Sequence, residues 1–580
     1  MFFNNSIFKC IKYIFFLQLL YSNNILATEQ DFRSNPEVGI ENKKKSSIEY
    51  SKKFMVVCAD ERAAVAAKKI LKLGGNAIDA AIAAQNVLSV VEPQSSGLGG
   101  GGFLIYYNKE LNILEAWDGR ETAPNNVKPN QYVDIENNKM PFKKAITNPI
   151  SIGVPGLYSM LAEVHNTSGK LAWETLFTDA INYAESFKVS PRLNKMLTWA
   201  PHIKSDEYSR KIYFENNVPK KVGSIVNNTK LAKSLNIISN NGYSINNGKI
   251  ANLIQRNLFP NITKTDLNDW KTIKRRPLCK KYKEYKICGF PPPTSGGIGV
   301  LQILSLLESI DTNFDYKNTI LDEHIFLEAS RLAYADRDIY IADPKFFRVP
   351  IKELLSERYL KNRASLINLK RATKNFKNGD LKIFKNNNLD SGINLNLPST
   401  THISIIDHYG NAVSLTSSIE FAFGSGKTVG GFFLNNQLTD FSFLSHNQQG
   451  KKVANSVEPK KRPRSSMSPT MVFKDKQLIG VLGSPGGSRI ICYVAKTLFY
   501  IINFRVSLEE AINMPHLCSR NKFSEIEKTN FESNISSSLR LLGHDIVKKE
   551  MNSGLNVIWK YGSFWGGASD HRREGVAIGF

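Results

Sequence analysis

Thr400-Thr401-His402-Ile403-Ser404 is the stretch on which the reading of this chain turns. It lies well past the middle of 580 residues and opens an alternating run, His402-Ile403-Ser404-Ile405-Ile406. A turn over 407–410 joins that run to Ala412-Val413-Ser414-Leu415-Thr416, and the pair reads as a β-hairpin. On its own Thr-Thr-His is an ordinary strand opening, because β-branched threonine is common in strands. Followed by Ser418-Ile419-Glu420 and Phe423-Gly424, it acquires a second reading. The Thr400 hydroxyl could attack the carbonyl of Ser399 just before it. The cut would leave Thr400 with a free α-amine beside its own hydroxyl, able to act as that hydroxyl's general base.

Upstream of the hairpin, residues 359–399 are rich in Lys, Asn and Asp with little apolar periodicity. This predicts a mobile loop whose end, Pro398-Ser399, a cut would release. Downstream, Met471-Val472-Phe473 and the run 478–482 flank Lys474-Asp475-Lys476 as a second hairpin. Towards the N-terminus a strand over 54–57 precedes a helix over 60–73 closed by Gly74-Gly75, then an alanine-rich helix over 76–91 that stops before Pro93. Residues 150–275 read as mostly helical, and 321–335 as one further helix.

The run Gly97-Leu98-Gly99-Gly100-Gly101-Gly102 fits the G-x-G-x-x-G dinucleotide fingerprint letter by letter. The fingerprint needs a strand before the glycines and a helix after, whereas here a helix precedes and a strand, 103–107, follows. A tight approach between packed backbones is the better account. The net charge of +24 raises nucleic acid as a partner, but the Lys and Arg are scattered among asparagines without a stripe of interleaved aromatics. The densest basic stretches, Lys43-Lys44-Lys45 and the segment with Lys370, Arg371, Lys374, Lys377, Lys382 and Lys385, read as solvated. No nucleic-acid partner is expected.

Lys9 and Lys12, the apolar run 13–21 and the small residue in Ile25-Leu26-Ala27 have the layout of a signal peptide, residues 1–27. The run is too short to span a bilayer, and no other long one follows. The mature protein is expected to be exported, periplasmic or secreted, with no membrane span. Of six cysteines Cys10 falls in this leader, and with no Cys-x-x-Cys and no His-Glu-x-x-His a metal is not expected. Cys279 and Cys288 flank a hairpin with a two-residue turn at Lys283-Glu284, which sets them opposite each other in a non-hydrogen-bonded pair suited to a disulfide. Cys58, Cys492 and Cys518 lie in apolar surroundings and read as buried thiols.

Four further clusters complete the pattern. They are Asp118-Gly119-Arg120-Glu121-Thr122-Ala123-Pro124, the run from Leu434 through Gln437 to Asp440-Phe441, the run Lys461-Arg462-Pro463-Arg464-Ser465-Ser466, and Gly483-Ser484-Pro485-Gly486-Gly487-Ser488-Arg489. In this combination and order they resemble the γ-glutamyltranspeptidases (glutathione hydrolases), from about Val56 to Asp570. The resemblance implies an α+β fold, the four-layer αββα sandwich of N-terminal nucleophile hydrolases with two stacked antiparallel sheets. It also implies self-cleavage before Thr400 into a large subunit, 28–399, and a small one, 400–580, that stay together.

Residue by residue, the resemblance makes Thr400 the nucleophile and Ser418 a hydroxyl beside it, where many relatives carry threonine. Arg120 becomes the reader of a substrate α-carboxylate, a task that suits a guanidinium fork. Ser465 and Ser466 become hydroxyl donors to the same carboxylate. Glu420, where others carry asparagine, joins Gln437 and Asp440 in holding the α-ammonium. Gly486 and Gly487 supply the N–H groups of an oxyanion hole. Thr401 and His402 read as structural. Residues 442–460 have the position of a lid but no evident anchoring aromatic. No organic cofactor is implied, and the small-molecule partners are γ-glutamyl donors such as glutathione with amino acid or peptide acceptors. Two rivals remain: a side-chain acylase of the same fold, for β-lactams with glutaryl-type groups, and an exported pseudoenzyme or interaction protein. A serine hydrolase of the nucleophile-elbow type finds no G-x-S-x-G.

Overall fold

The Thr400 hairpin forms the middle of one of two seven-stranded sheets in the computed structural model. Described are residues 45–580 apart from 137, 242–244, 311–313, 315–318, 382, 384–388, 392–398, 448 and 529–531. The expected signal peptide, 1–27, and Lys43-Lys44 lie outside the described residues.

The first sheet runs in the order Val576–Gly579, Met55–Cys58, Ser399–Ile406, Ala412–Glu420, Gly101–Asn108, Ile113–Asp118, Ile273–Arg275. The second runs Glu49–Ser51, Phe564–Ser569, Asn556–Tyr561, Gln477–Gly483, Thr470–Lys474, Tyr285–Gly289, Leu278–Tyr282. Every pairing in both sheets is antiparallel. The strands of the Thr400 hairpin pack against Gln477–Gly483 and Asn556–Tyr561 across the sandwich and against helix Ala77–Val91 outside it. Helices Gly296–Glu308 and Ile490–Phe504 cover the second sheet, with Thr319–Tyr340 packed on the former. The layers are therefore helix, sheet, sheet, helix, the expected αββα sandwich. Both hairpin strands are buried along their whole length, since one face meets a sheet and the other a helix.

Local chemistry explains the joints that hold this arrangement. Asp60 caps helix Glu61–Lys72 by accepting from Arg62 N, and Asn76 with Asp79 forms a capping box at the start of Ala77–Val91. Asp407, in the hairpin's turn, also accepts from Ala77 N at 2.9 Å, tying the turn to that helix's first residue. The glycine run makes the expected close approach of backbones. A Cβ at Gly99 would lie 2.2 Å from Phe433 O, and one at Gly100 2.3 Å from Ser418 O.

Cys279 and Cys288 are directly opposed and disulfide-bonded, with Cα atoms 4.0 Å apart, and Cys58 is a buried free thiol. The other expectation for cysteines needs correction: Cys492 and Cys518 are bonded to each other. Helix Ile490–Phe504 packs against strand Leu517–Ser519, which brings their Cα atoms to 5.6 Å; nothing local to either residue announces that contact. The mobile loop over 359–399 is corrected in its first half as well. Glu357–Ala364 is a helix, and Leu360, Arg363, Ile367, Phe376 and Leu381 are buried. The remainder, up to the strand at Ser399, lies largely outside the described residues. Residues 150–275 are mostly helical, interrupted by two short ribbons. Among the described residues no helix is long and apolar enough to cross a membrane.

Candidate active site

Register slips in the hairpin at the residue expected to react. Thr400 pairs with Ser418 but Ser399 pairs with Glu420, leaving Ile419 as the extra residue of a bulge at the Ser399–Thr400 bond. Glu420, on the far side of the bulge, has a positive φ of 76°. The distortion converges three groups on one hydroxyl. Ser418 Oγ donates to Ser399 O at 2.7 Å, and accepts from Glu420 N at 2.9 Å and from Thr400 Oγ1 at 3.3 Å. The Ser399 hydroxyl donates to Gln94 O, and Arg573 Nη1 donates to Thr400 O at 2.9 Å. Both carbonyls flanking the Thr400 nitrogen and side chain are therefore held.

Every residue given a catalytic or substrate-binding role from the sequence, Gly486 excepted, lines one cleft. Met467, Ser488 and Ile490 line it too and were not anticipated. At the end away from Thr400, Arg120 is 1% exposed. Its Nε donates to Pro463 O and its Nη2 to Arg464 O, both at 3.2 Å, so the strand-like segment carrying Ser465 and Ser466 also orients the guanidinium. Nη2 is 2.5 Å from Asp440 Oδ2. The residues expected to read opposite charges of a substrate are thus paired with each other. Gln437 Nε2 bridges two carboxylates, donating to Glu420 Oε2 at 2.7 Å and Asp440 Oδ2 at 2.8 Å. Burial, with the negative Asp440 nearby, raises the Glu420 carboxyl well above the usual carboxylate range. Burial likewise lifts Glu121, 3.6 Å from Arg120, to about 8 despite the guanidinium's opposing pull.

The hydroxyl pair is held by acceptor contacts. Ser465 Oγ accepts from Met467 N at 3.1 Å, and Ser466 Oγ accepts from Arg337 Nη2 at 2.8 Å. Gly486 and Gly487 have φ of 133° and 57°, and a Cβ at Gly486 would meet the Tyr493 ring at 2.5 Å. The turn Gly487–Arg489 runs into helix Ile490–Phe504, whose N-terminal dipole favours negative charge at the cleft wall. Arg489 anchors that turn through a fork to Glu525 at 2.8 and 2.7 Å. Burial pushes the Glu525 carboxyl up, but the Arg520 and Arg489 guanidiniums outweigh it and hold it at about 2.

His402 lines no part of the cleft. Its ring nitrogens contact Thr416 Oγ1 at 2.8 Å and Ser404 Oγ at 3.1 Å, and burial lowers it to about 3, so it is a neutral core imidazole. Residues 442–460, read as lacking an anchoring aromatic, do hold an aromatic contact: Phe443 stacks on Tyr132 with centroids 4.3 Å apart. Sequence reading missed it because Tyr132 lies some three hundred residues away. Arg337 and Arg573 were missed for the same reason. Nothing local marks Arg337 out, since Glu328, Arg331 and Asp336 are buried on the same helix Thr319–Tyr340.

A family model described as Gamma-glutamyltranspeptidase matches residues 63–580. The chain belongs to the γ-glutamyltranspeptidase family. It is 32% identical over 549 residues to the glutathione hydrolase proenzyme of Bacillus subtilis (strain 168), with 92% of each chain covered. Over 480 residues it is 35% identical to the glutathione hydrolase proenzyme of Escherichia coli (strain K12), with 80% of each covered. Among solved structures, cephalosporin acylase from Bacillus halodurans superposes with a TM-score of 0.80 at 25% identity, covering 94% of this chain and 99% of that one. The family is one of enzymes, and its fold is the N-terminal nucleophile hydrolase sandwich described above.

Proposed function

We propose that this chain is an exported, self-processing γ-glutamyl transferase and hydrolase in which Thr400 is the nucleophile of both reactions. One observation carries the reading: the Thr400 hydroxyl shares a cleft with a buried arginine and with a carboxylate–amide–carboxylate cluster that meets that arginine at Asp440. A γ-glutamyl group ends in an α-carboxylate and an α-ammonium, and that pair of sites matches its two charges. In processing, Thr400 Oγ1 attacks Ser399 C. Its proton passes by way of the Ser418 hydroxyl, which also polarises Ser399 O, to the Thr400 nitrogen; the C–N bond breaks and that nitrogen departs as an amine. Water then hydrolyses the resulting ester, separating a large subunit, 28–399, from a small one, 400–580, which remain packed together in one sandwich.

In turnover the freed amine takes the Thr400 hydroxyl proton while the oxygen attacks the substrate's γ-carbonyl. Gly486 and Gly487 offer N–H groups to the oxyanion, where one donor is typically worth about 3–4 kcal/mol. The amine product, cysteinylglycine in the case of glutathione, leaves with the transferred proton. Water or the α-amine of an acceptor amino acid or peptide resolves the γ-glutamyl ester. Arg120, Ser465 and Ser466 hold the α-carboxylate, and Glu420, Gln437 and Asp440 the α-ammonium. No step calls for a metal or an organic cofactor.

The likeness to an acylase supports a second reading, an amidase for acyl groups without the α-amine. A glutaryl group would leave Glu420 and Asp440 facing methylene instead of ammonium, which weighs against it. Parallel assays of γ-glutamyl and glutaryl anilides discriminate. The proposal expects strong preference for the γ-glutamyl compound; equal or faster release from the glutaryl one would establish the acylase, and release from neither a pseudoenzyme.

A further inference from the structure

We propose that Arg337 is a positioning residue for the substrate's α-carboxylate, acting directly through Ser466 and, by way of Ser295, through Ser465; this rests on the reading of the cleft given above. Arg337 stands in the last turn of helix Thr319–Tyr340, is 4% exposed, and lines no part of the cleft. Its three nitrogens take three partners. Nη2 donates to Ser466 Oγ at 2.8 Å, Nε to Ser295 Oγ at 2.9 Å, and Nη1 to Asp338 Oδ1 at 2.7 Å.

A guanidinium donates and never accepts, so each hydroxyl it touches must accept, and that fixes where the hydroxyl's own hydrogen goes. Ser295 sends its hydrogen to Ser465 O at 2.7 Å, and Ser295 N donates to the same carbonyl at 2.9 Å. Through Ser295, Arg337 thereby fixes the backbone of Ser465. At Ser466 the lone pair facing the helix is taken, and no acceptor for its hydrogen is found among the described residues. Ser466 borders the cleft, so its hydrogen is left to a ligand there. Ser465 is arranged alike, since its Oγ accepts from Met467 N. The fork thus leaves the Ser466 hydroxyl as a donor and fixes the backbone of Ser465, whose own hydroxyl is set as a donor by Met467 N; a pair of donors is what an anion requires and a cation does not.

The surroundings keep the fork in place. Arg464 Nη1 donates to Arg337 O at 2.9 Å, and the guanidinium lies 5.7 Å from the Tyr334 ring centroid. Burial first, and then the positive Arg337, depress Arg464 to about 9. Lysine at 337 would keep a charge but could not reach Ser295 and Ser466 with the fork's geometry.

The test is Arg337→Lys in the processed protein, assayed with a γ-glutamyl anilide and with the same anilide carrying an α-carboxamide. Wild type should favour the carboxylate donor; absence of that preference would overturn the reading of the cleft itself. Given the preference, Arg337→Lys should raise KM for the carboxylate donor about tenfold, with kcat within about twofold and the carboxamide donor little changed. In an Arg337→Lys/Ser466→Ala double variant the KM effects should fall well short of additive, because one acts through the other. Equal KM changes on both donors, or full additivity with Ser466→Ala, would overturn the role of Arg337 while leaving the cleft's reading intact. Should Arg337→Lys not fold, Ser295→Ala removes one limb of the relay and should raise KM for the carboxylate donor alone, by about threefold; an unchanged KM would count against the proposal.

Discussion

At the Thr400 end of the cleft the polar groups are neutral hydroxyls and backbone amides on a bulged strand and a glycine turn, whereas at the Arg120 end they are ionisable side chains buried against one another. The first end is specified by backbone geometry. Ser418 reaches Ser399 O only because the bulge at Ile419 brings it there, and Gly486 adopts a φ of 133° that side-chain-bearing residues rarely take. The second end is specified by charge balance: one guanidinium faces Asp440 and Glu121, and a single amide spans Glu420 and Asp440. It follows that changes at the first end should alter bond-making rates, and changes at the second should alter affinity and its dependence on pH.

The largest effect is expected at the hydroxyl end. Ser418→Ala removes the donor to the carbonyl of the bond to be cut, and loss of one such donor costs about 10²–10³ in rate. Self-cleavage followed by gel over time should slow by that order; processing at the wild-type rate would detach Ser418 from the reaction. At the charged end, Arg120→Lys keeps the charge and loses the fork. KM for γ-glutamyl donors should rise by at least about 30-fold, the low end for breaking a buried charge pair, while processing proceeds normally. If processing failed along with affinity, the two ends would not be separable as described.

A smaller effect distinguishes Glu420. Burial and the neighbouring Asp440 favour its protonated form, whereas a bound ammonium favours the ionised one. Binding should therefore release a proton, and KM should fall as pH rises towards the elevated value. Glu420→Gln should flatten that profile and change KM by only about threefold at neutral pH. For stability the sign runs the other way. A carboxyl whose folded value is raised stabilises the protein fully below its unfolded value and loses that contribution as pH rises through the folded one. Thermal unfolding across pH should accordingly show Glu420→Gln gaining on wild type as the solution becomes more alkaline.

What could be read from the sequence follows a physical division between near and far partners. The Thr400 hairpin, the capped helices Glu61–Lys72 and Ala77–Val91 and the Cys279–Cys288 pair depend on residues a turn or a strand apart, and all were legible. The Cys492–Cys518 bond, the Tyr132–Phe443 stack and the contact of Arg573 with Thr400 O are made by the packing of distant elements and left no local pattern. The segment after Tyr359 misled for a related reason. Its buried residues Ile367, Phe376 and Leu381 are spaced without helical or strand period amid polar neighbours, so composition outweighed burial. Of the cleft, the residue types were legible through the family's motifs, but the pairing of Arg120 with Asp440 was not, because it joins two segments read as serving opposite charges.

The central claim is that one hydroxyl first cuts its own chain and then turns over substrate. The most direct measurement is the intact mass of purified wild type and Thr400→Ala under denaturing conditions, with N-terminal sequencing of any smaller fragment and an assay of both samples. Wild type should separate without added protease into two chains, the smaller covering residues 400–580 and beginning Thr-Thr-His-Ile-Ser. Thr400→Ala should remain one chain and release no γ-glutamyl product. A wild type that stays intact and still releases γ-glutamyl groups would contradict the account.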